Sequence, residues 1–133
     1  MTMKILIVDD EEDIRDTIAF AFESEVDADF FFASTGNEAI DQITNNKDIA
    51  LIICDYNMAD GTGGDVYKFL LNNNISIPYV LCSTSHEADL KEYKDKSTYL
   101  GQILKPLLFD GSLEMLHKYE ESIKVMSQIS YQL

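Results

Sequence analysis

The sequence is poor in basic residues and has no long apolar run, and each scarcity argues against a class of protein. Ten Lys and Arg residues stand against 24 Asp and Glu residues, which gives a formal net charge of −14. Nucleic acids and acidic membrane surfaces both attract basic patches. No apolar run approaches the roughly 20 residues that span a bilayer. We therefore expect neither direct nucleic-acid binding nor membrane association.

Cysteine is also scarce. Cys54 and Cys82 are the two cysteines, and they match no metal-binding or redox spacing. Each ends an apolar run, where a free thiol behaves as a small buried hydrophobe. The N-terminal residues lead within a few positions into a short apolar run and then into acids, unlike a signal peptide. We expect a cytoplasmic location.

Short apolar runs alternate along the chain with segments of helical periodicity. The predicted strands are Ile5–Val8, Phe30–Phe32, Ala50–Cys54, Tyr79–Cys82 and Leu100–Leu104. The predicted helices are Glu12–Glu23, Asn37–Thr44, a segment around Val66–Leu70, a weak helix over Glu87–Lys96, and a long helix that starts at Asp110 and includes Met126. Such alternation predicts an α/β fold with a parallel sheet covered by helices on both faces.

Among such sheets we expect the flavodoxin-like (βα)5 three-layer sandwich, whose five parallel strands lie in the order 2-1-3-4-5. The 133 residues are an ordinary length for one domain. Neither a linker nor an internal repeat is evident. We therefore predict a single domain over residues 1–133, with a core of about 4–126 and a short tail at 127–133.

Polar residues follow four neighbouring strands of this predicted sheet. They are Asp9, Asp10, Asp55, Ser83, Thr84 and Lys105. Ligands bind outside the carboxyl ends of parallel strands, so these side chains should converge. Three carboxylates that close repel one another unless a cation joins them, and hard oxygen ligands suit Mg²⁺. With a Lys and a Ser opposite, the set fits phosphoryl transfer, which depends on positioning and charge neutralisation.

These motifs, in this order and at this spacing, resemble the receiver domain of two-component response regulators, whose fold is that of the chemotaxis regulators. The resemblance extends from Lys4 to the final helix. The matching segments are Ile7–Glu12, Ala33–Ala39, Asp55–Met58, Gly63, Pro78–Ser83 and Leu104–Pro106.

The resemblance implies a phosphoacceptor and a metal site. Asp55 would take a phosphoryl group from the phosphohistidine of a sensor histidine kinase or a histidine phosphotransfer protein. Asp10 and Asp55 would bind Mg²⁺ (or Mn²⁺) directly, together with the backbone carbonyl of Asn57. Asp9 would act mainly through a metal-bound water.

The resemblance also implies groups that follow the phosphoryl group. Lys105 would pair with the Asp55 carboxylate and then with phosphoryl oxygens, and its bond to Pro106 would be cis. Ser83 would serve both in phosphoryl binding and as a switch residue, with Thr84 beside it. The modified domain would then alter the binding of an output partner, or form a homodimer, through its fourth helix, fifth strand and fifth helix.

The sequence departs from the family pattern at three positions. Gln102 stands where the family usually has an aromatic residue that is coupled to the Ser or Thr as the output switch. Thr84 replaces a usual Ala or Gly, and its extra bulk is expected to hinder access to the acyl phosphate. Ala59 replaces a common Pro. These departures concern signal output rather than the phosphorylation chemistry.

Two other classes of function were weighed against the phosphorylation switch. A Mg²⁺-dependent phosphatase of the haloacid-dehalogenase type needs a second acid two residues after its nucleophile, and that position is Asn57 here. A degenerate receiver that acts as a phosphorylation-independent interaction module is suggested by Gln102, but the complete acidic set and Lys105 favour a working switch. We therefore expect a signalling domain rather than an enzyme, apart from its own phosphorylation and dephosphorylation.

Overall fold

The computed structural model describes residues 2–23, 27–84 and 90–104, with the backbone alone at 103 and 104. Five strands form the main sheet: β1 (Met3–Val8), β2 (Ala28–Ala33), β3 (Leu51–Asp55), β4 (Tyr79–Ser83) and β5 (Tyr99–Leu104). The helices are α1 (Glu12–Glu23), α2 (Gly36–Asn45) and α3 (Gly63–Asn72). A small antiparallel hairpin of Asn57–Met58 and Gly61–Thr62 lies between β3 and α3.

The sheet is parallel and its spatial order is β2-β1-β3-β4-β5. The predicted flavodoxin-like order 2-1-3-4-5 is therefore confirmed. Strands β1 and β3 lie in register, so that Val8 is opposite Cys54. Strands β3 and β4 are offset so that Asp55 is opposite Cys82. This alignment brings the carboxyl ends of the three central strands to the same edge.

The core has two layers because the central strands are buried on both faces. In β3, Leu51 and Ile53 pack with α1, whereas Ile52 and Cys54 pack with α2 and α3. All five residues of β3 are buried, as a continuous apolar run in a parallel sheet requires. Helix α1 contributes Ile14, Ile18 and Phe22 to its layer.

Helix boundaries follow from side-chain caps. Thr35 caps α2 by accepting a hydrogen bond from the Glu38 N–H, 3.1 Å away. Thr62 and Asp65 form a reciprocal capping box at the start of α3. Asn74 follows α3 with a positive φ of 56°. The predicted helices α1, α2 and α3 are thus confirmed to within a residue or a few at each end.

The predicted helix Glu87–Lys96 is wrong in the part that the structure describes. Residues 90–96 contain only a short 3-10 helix, Lys91–Tyr93. The Leu90 N–H donates to the Tyr99 hydroxyl oxygen (3.2 Å), so the side chain of a following strand contacts this turn. A thin apolar stripe among charged residues gives an α-helix little reason to continue.

Several predictions fall on residues outside the described part of the chain. They are Lys105, Pro106 and their cis bond, the final helix from Asp110, and the tail at 127–133. The division into core and tail stays a prediction. Among the described residues, the structure contains no helix long and apolar enough to cross a membrane.

Candidate functional site

An acidic cluster occupies the carboxyl ends of the two central strands. Asp9 and Asp10 follow β1, and Asp55 is the last residue of β3. One carboxylate oxygen from each lies within 4.8 Å of the others. Asp9 and Asp55 are buried, with 0% and 4% of their surface exposed, whereas Asp10 is exposed. The structure thus brings together the three carboxylates that the sequence predicted to converge.

The start of α1 fixes the position of Asp9. The Glu11 N–H donates to Asp9 Oδ1 at 2.9 Å, and the Arg15 guanidinium donates from Nη1 to the Asp9 carbonyl at 2.7 Å. The Asp9 N–H donates in turn to the Ala33 carbonyl of β2 (3.0 Å). Both ends of this residue are therefore held by neighbouring elements.

The donor set of the acidic cluster fits Mg²⁺. Two of its three carboxylates are buried, so water screens their mutual repulsion poorly, and a divalent cation would offset that repulsion. Mg²⁺ prefers hard oxygen ligands, accepts a few carboxylates and keeps several waters. The exposed Asp10 leaves one side of the cluster open to such waters. Surface acids often lie together without an ion, but burial of two of them here sets this cluster apart.

The end of β4 lies beside this cluster. Cys82 is opposite Asp55, so Ser83 follows one residue further along the neighbouring strand, where it is buried (1% exposed). Thr84 comes next and is exposed. Gln102 lies in β5 opposite Leu81 and is half-buried. Ser83 and Thr84 therefore reach the edge where Asp55 lies, whereas Gln102 lies further back along the sheet.

The loop after Asp55 is hydrogen-bonded to β4 and to the start of α3. The Tyr56 N–H donates to the Cys82 carbonyl (3.2 Å), and the Gly63 N–H donates to the Tyr56 carbonyl (2.8 Å). Asn57 then begins the small hairpin and is exposed. The carbonyl predicted as a metal ligand therefore belongs to a loop with a defined backbone path.

Gly63 fills a position with no room for a side chain. A Cβ placed there would lie 2.5 Å from the Asp55 carbonyl oxygen and 2.9 Å from both Leu81 Cδ1 and the Tyr79 hydroxyl oxygen. The Tyr79 hydroxyl also donates to the Gly63 carbonyl at 2.6 Å. The resemblance to receiver domains includes Gly63, and the structure shows a physical need for glycine there, because α3 begins in direct contact with the backbone of Asp55.

Asp60 makes a contact that the sequence did not predict. Its carboxylate accepts hydrogen bonds from the N–H groups of Gly36 (Oδ1, 2.8 Å) and Asn37 (Oδ2, 2.8 Å), at the start of α2. These two backbone N–H groups lower the pKa of Asp60 below its ordinary range, and the N–H of Asn37 has the larger effect. The contact joins residues 23 and 24 positions apart in sequence. An acid in a glycine-rich loop gave no signal for it.

Four tyrosines pack together behind the site. The Tyr67 ring centroid lies 5.0 Å from those of Tyr79 and Tyr93 and 5.6 Å from that of Tyr99. Burial raises the pKa of Tyr79 well above its ordinary value. Tyr79 joins this tyrosine cluster to the start of α3 through its hydroxyl, because that group donates to the Gly63 carbonyl.

Comparisons with known proteins agree with the fold. The family model of the response regulator receiver domain matches residues 5–117. A search of curated proteins finds no significant match. Among solved structures, the signal receiver domain of a LuxO repressor protein from Vibrio parahaemolyticus is 21% identical with a TM-score of 0.77, covering 97% of this chain and 98% of its own.

Two further structures extend this likeness. The receiver domain of the Francisella response regulator 1452 is 24% identical with a TM-score of 0.73, covering 97% of this chain and 99% of its own. The response regulator TrrA from Thermotoga maritima, solved in complex with Mg²⁺ and BeF, is 22% identical with a TM-score of 0.68, covering 88% of this chain and 98% of its own. At these identities the likeness shows the fold.

The parallel five-stranded sheet, with an acidic cluster at the carboxyl ends of its central strands, has the architecture of a receiver domain of the two-component class. The chain belongs to the response regulator receiver domain family, because the family model matches 113 consecutive residues, 5 through 117, of 133. Members of this family signal by phosphorylation, interact with histidine kinases or phosphotransfer proteins, and typically bind Mg²⁺ at an acidic pocket. They are signalling domains rather than enzymes in the usual sense.

Proposed function

We propose that this domain is a phosphorylation-activated switch of a two-component phosphorelay and that Asp55 is its phosphoacceptor. The observation that carries the proposal is the approach of one carboxylate oxygen each from Asp9, Asp10 and Asp55 to within 4.8 Å at the edge of a receiver fold. Asp55 is the member of this cluster that ends the central strand β3, beside the end of β4.

In the proposed reaction, a carboxylate oxygen of Asp55 attacks the phosphorus of a phosphohistidine on a kinase or phosphotransfer partner. The O–P bond forms as the N–P bond of the donor breaks, and the released imidazole nitrogen takes a proton from water. Such a transfer gains most from positioning and from neutralising the charge on the phosphoryl oxygens.

Asp10, Asp55 and the backbone carbonyl of Asn57 would hold Mg²⁺, and Asp9 would act through a bound water. When bound, the ion would neutralise charge on the carboxylates and on the incoming phosphoryl group. The buried position of Asp9, fixed by the Glu11 N–H, suits a residue that orients water rather than one that moves with the ligand.

Ser83 and Lys105, with Thr84 beside them, would bind the phosphoryl oxygens. The burial of Ser83 at the end of β4 supports this role, because its hydroxyl is placed on the strand next to Asp55. The modified domain would then alter partner binding, with Ser83 and Gln102 at the switch positions. The fourth-helix, fifth-strand and fifth-helix face is the proposed surface for an output partner or a second copy.

Intact-mass measurement after incubation with acetyl phosphate and Mg²⁺ tests the proposal. We expect the wild type to gain one phosphoryl group, and Asp55→Asn or omission of Mg²⁺ to abolish the gain. The same gain in Asp55→Asn would refute the assignment of the acceptor. No gain in any sample, with the protein folded, would favour the phosphorylation-independent interaction module suggested by Gln102.

A further inference from the structure

The loop that carries Asn57 is attached to α2 by a carboxylate. Asp60 lies between the two short strands of the hairpin that begins at Asn57, and it accepts one hydrogen bond on each oxygen from the N–H groups of Gly36 and Asn37. We call this arrangement the Asp60 clamp. It uses two donors that the first turn of any helix leaves without an intrahelical partner.

Three features show that the clamp is a built contact. Both of its hydrogen bonds are 2.8 Å long and each oxygen has its own donor. Charge-assisted bonds of this kind are shorter and stronger than neutral ones, and the positive end of the α2 dipole adds to the attraction. Thr35 separately caps the same helix through the Glu38 N–H. Thr35 therefore caps the third N–H group of the helix, and Asp60 binds the first two while it joins the loop to the helix.

The clamp also lies close to the proposed metal site in sequence and in structure. Asp60 is three residues from Asn57, and the hairpin pairs Asn57 with Thr62 and Met58 with Gly61 around it. The loop is fixed at its other end, where the Tyr56 N–H donates to the Cys82 carbonyl. With both ends held, the backbone carbonyl of Asn57 has little freedom to move.

We infer that Asp60 is a positioning residue for the metal site: by holding the hairpin on α2, it fixes the Asn57 carbonyl where Mg²⁺ binds. This inference rests on the proposed function, because it takes the Asn57 carbonyl to be a metal ligand. Asp60 is not one of the three clustered carboxylates. Its loss leaves the three carboxylates in place and removes the restraint on the loop.

Two substitutions at position 60 separate hydrogen bonding from charge. Asp60→Asn removes the negative charge and keeps one acceptor oxygen, whereas Asp60→Ala removes the charge and both acceptors. Outer partners of metal ligands typically change metal affinity by about 10–100-fold, and because this clamp is exposed we expect about three- to tenfold for the Ala variant. The Asn variant should lie between it and the wild type.

Gly36→Pro tests the clamp from the other side. Proline lacks the N–H that Asp60 Oδ1 accepts, yet it suits the first position of a helix. The preceding Thr35 is already extended (φ −140°, ψ 164°), as a residue before proline should be. A Cβ at position 36 would make ordinary contacts with Asp60 Oδ1 (3.4 Å) and Met58 Cε (3.7 Å). The proline ring also places Cδ where the amide hydrogen was, and the Gly36 nitrogen lies 2.8 Å from Asp60 Oδ1. The carboxylate must therefore move away from the helix, so the substitution removes the donor and opens the clamp.

The experiment measures Mg²⁺ affinity by calorimetry and, separately, the phosphorylation rate by acetyl phosphate as a function of Mg²⁺. Asp41→Asn, at an exposed position of α2, is the charge-matched control. We expect the Mg²⁺ dissociation constant to rise in the order wild type, Asp60→Asn, Asp60→Ala. The rate at saturating Mg²⁺ should stay near that of the wild type, which a general loss of folded protein would not allow.

Faster amide exchange of Asn37 in the Asp60 variants, measured by NMR without Mg²⁺, would show directly that the clamp has opened. Equal Mg²⁺ affinities in Asp60→Ala and wild type overturn the inference, and so do equal effects of Asn and Ala, which would indicate charge alone. Gly36→Pro should weaken Mg²⁺ binding as Asp60→Ala does; if it fails to fold, the Asn and Ala pair decides. Failure of wild-type phosphorylation would instead contradict the proposed function, whatever the calorimetry gives.

Discussion

Gly63→Ala should destabilise the domain at the point where α3 meets the phosphoacceptor strand. The added Cβ would lie 2.5 Å from the Asp55 carbonyl oxygen, whereas close C···O contacts are about 3.3 Å. Helix and strand must therefore separate by about 0.8 Å, or the backbone must distort. The added Cβ would also lie 2.9 Å from Leu81 Cδ1 and from the Tyr79 hydroxyl oxygen, so it cannot move away from Asp55 without meeting these atoms.

The magnitude follows from two costs. Overpacking a close-packed core costs about 1–3 kcal/mol, and weakening the buried hydrogen bond from the Tyr79 hydroxyl to the Gly63 carbonyl costs about 1 kcal/mol. The gain in helix propensity from Gly to Ala offsets about 0.5–1 kcal/mol. We expect a net loss of about 1–3.5 kcal/mol. For a domain of this size that corresponds to a fall in Tm of roughly 4–14 °C.

Urea unfolding followed by far-UV circular dichroism measures this loss, with Gly64→Ala as the matched control. Gly64 lies in the same helical turn, but a Cβ there meets only the ends of the Leu90 and Thr62 side chains, both at 3.3 Å. Its substitution should change the free energy of unfolding by less than about 1 kcal/mol, since the end of the Leu90 side chain can shift and the gain in helix propensity offsets the contact with the capping Thr62. Equal stabilities of the two variants would refute the close-approach argument.

Three further predictions concern single groups. Tyr79→Phe removes the buried hydroxyl that donates to the Gly63 carbonyl and should cost about 1–2 kcal/mol in urea unfolding. The pKa of Asp60 is lower in the folded protein than its ordinary value of 3.8. The difference in unfolding free energy between wild type and Asp60→Ala should therefore be constant above pH 3.8 and shrink as the pH falls through the folded pKa. A difference that stays unchanged down to pH ~2 would contradict this. Burial raises the pKa of the Cys54 thiol, and Cys82 is also buried. Neither cysteine should therefore react with a disulfide reagent until urea is added. Labelling of either cysteine in the native protein would show that it is not buried.

The sequence was informative about the sheet because burial on both faces leaves a continuous apolar run. Residues 51–54 are such a run, and β3 indeed has no exposed position. The edge strand β2 was harder to delimit, since its first two residues, Ala28 and Asp29, lie outside the Phe30–Phe32 run. Pairing with β1, rather than apolar character, makes these residues part of the strand.

The buried faces of the helices were predicted less well than the strands, because helical periodicity reveals a buried face only where that face is apolar. In α3 the structure buries Tyr67 and leaves Phe69 half-exposed, although Phe69 is the more apolar of the two. The Tyr67 ring is accommodated by three other tyrosine rings. Such a cluster depends on residues from several elements and leaves no local pattern.

The acidic site was predictable for a topological reason. Once the strand order places β1 beside β3, residues at the two strand ends must meet, and Asp9, Asp10 and Asp55 need no further information. Contacts to backbone groups are different, because any residue can supply them. The bonds from Gly36 and Asn37 to Asp60 belong to this kind and required the structure.

Backbone contacts also bear on the Gln that replaces the usual aromatic residue in β5. The missing ring at position 102 does not separate the site from that strand. The Tyr56 carbonyl, next to Asp55, accepts from the Gly63 N–H, and the Gly63 carbonyl accepts from the Tyr79 hydroxyl. The Tyr79 ring in turn lies 6.2 Å from that of Tyr99, the first residue of β5. A continuous path of packed groups therefore links the residue after the proposed phosphoacceptor to β5 without any contribution from Gln102.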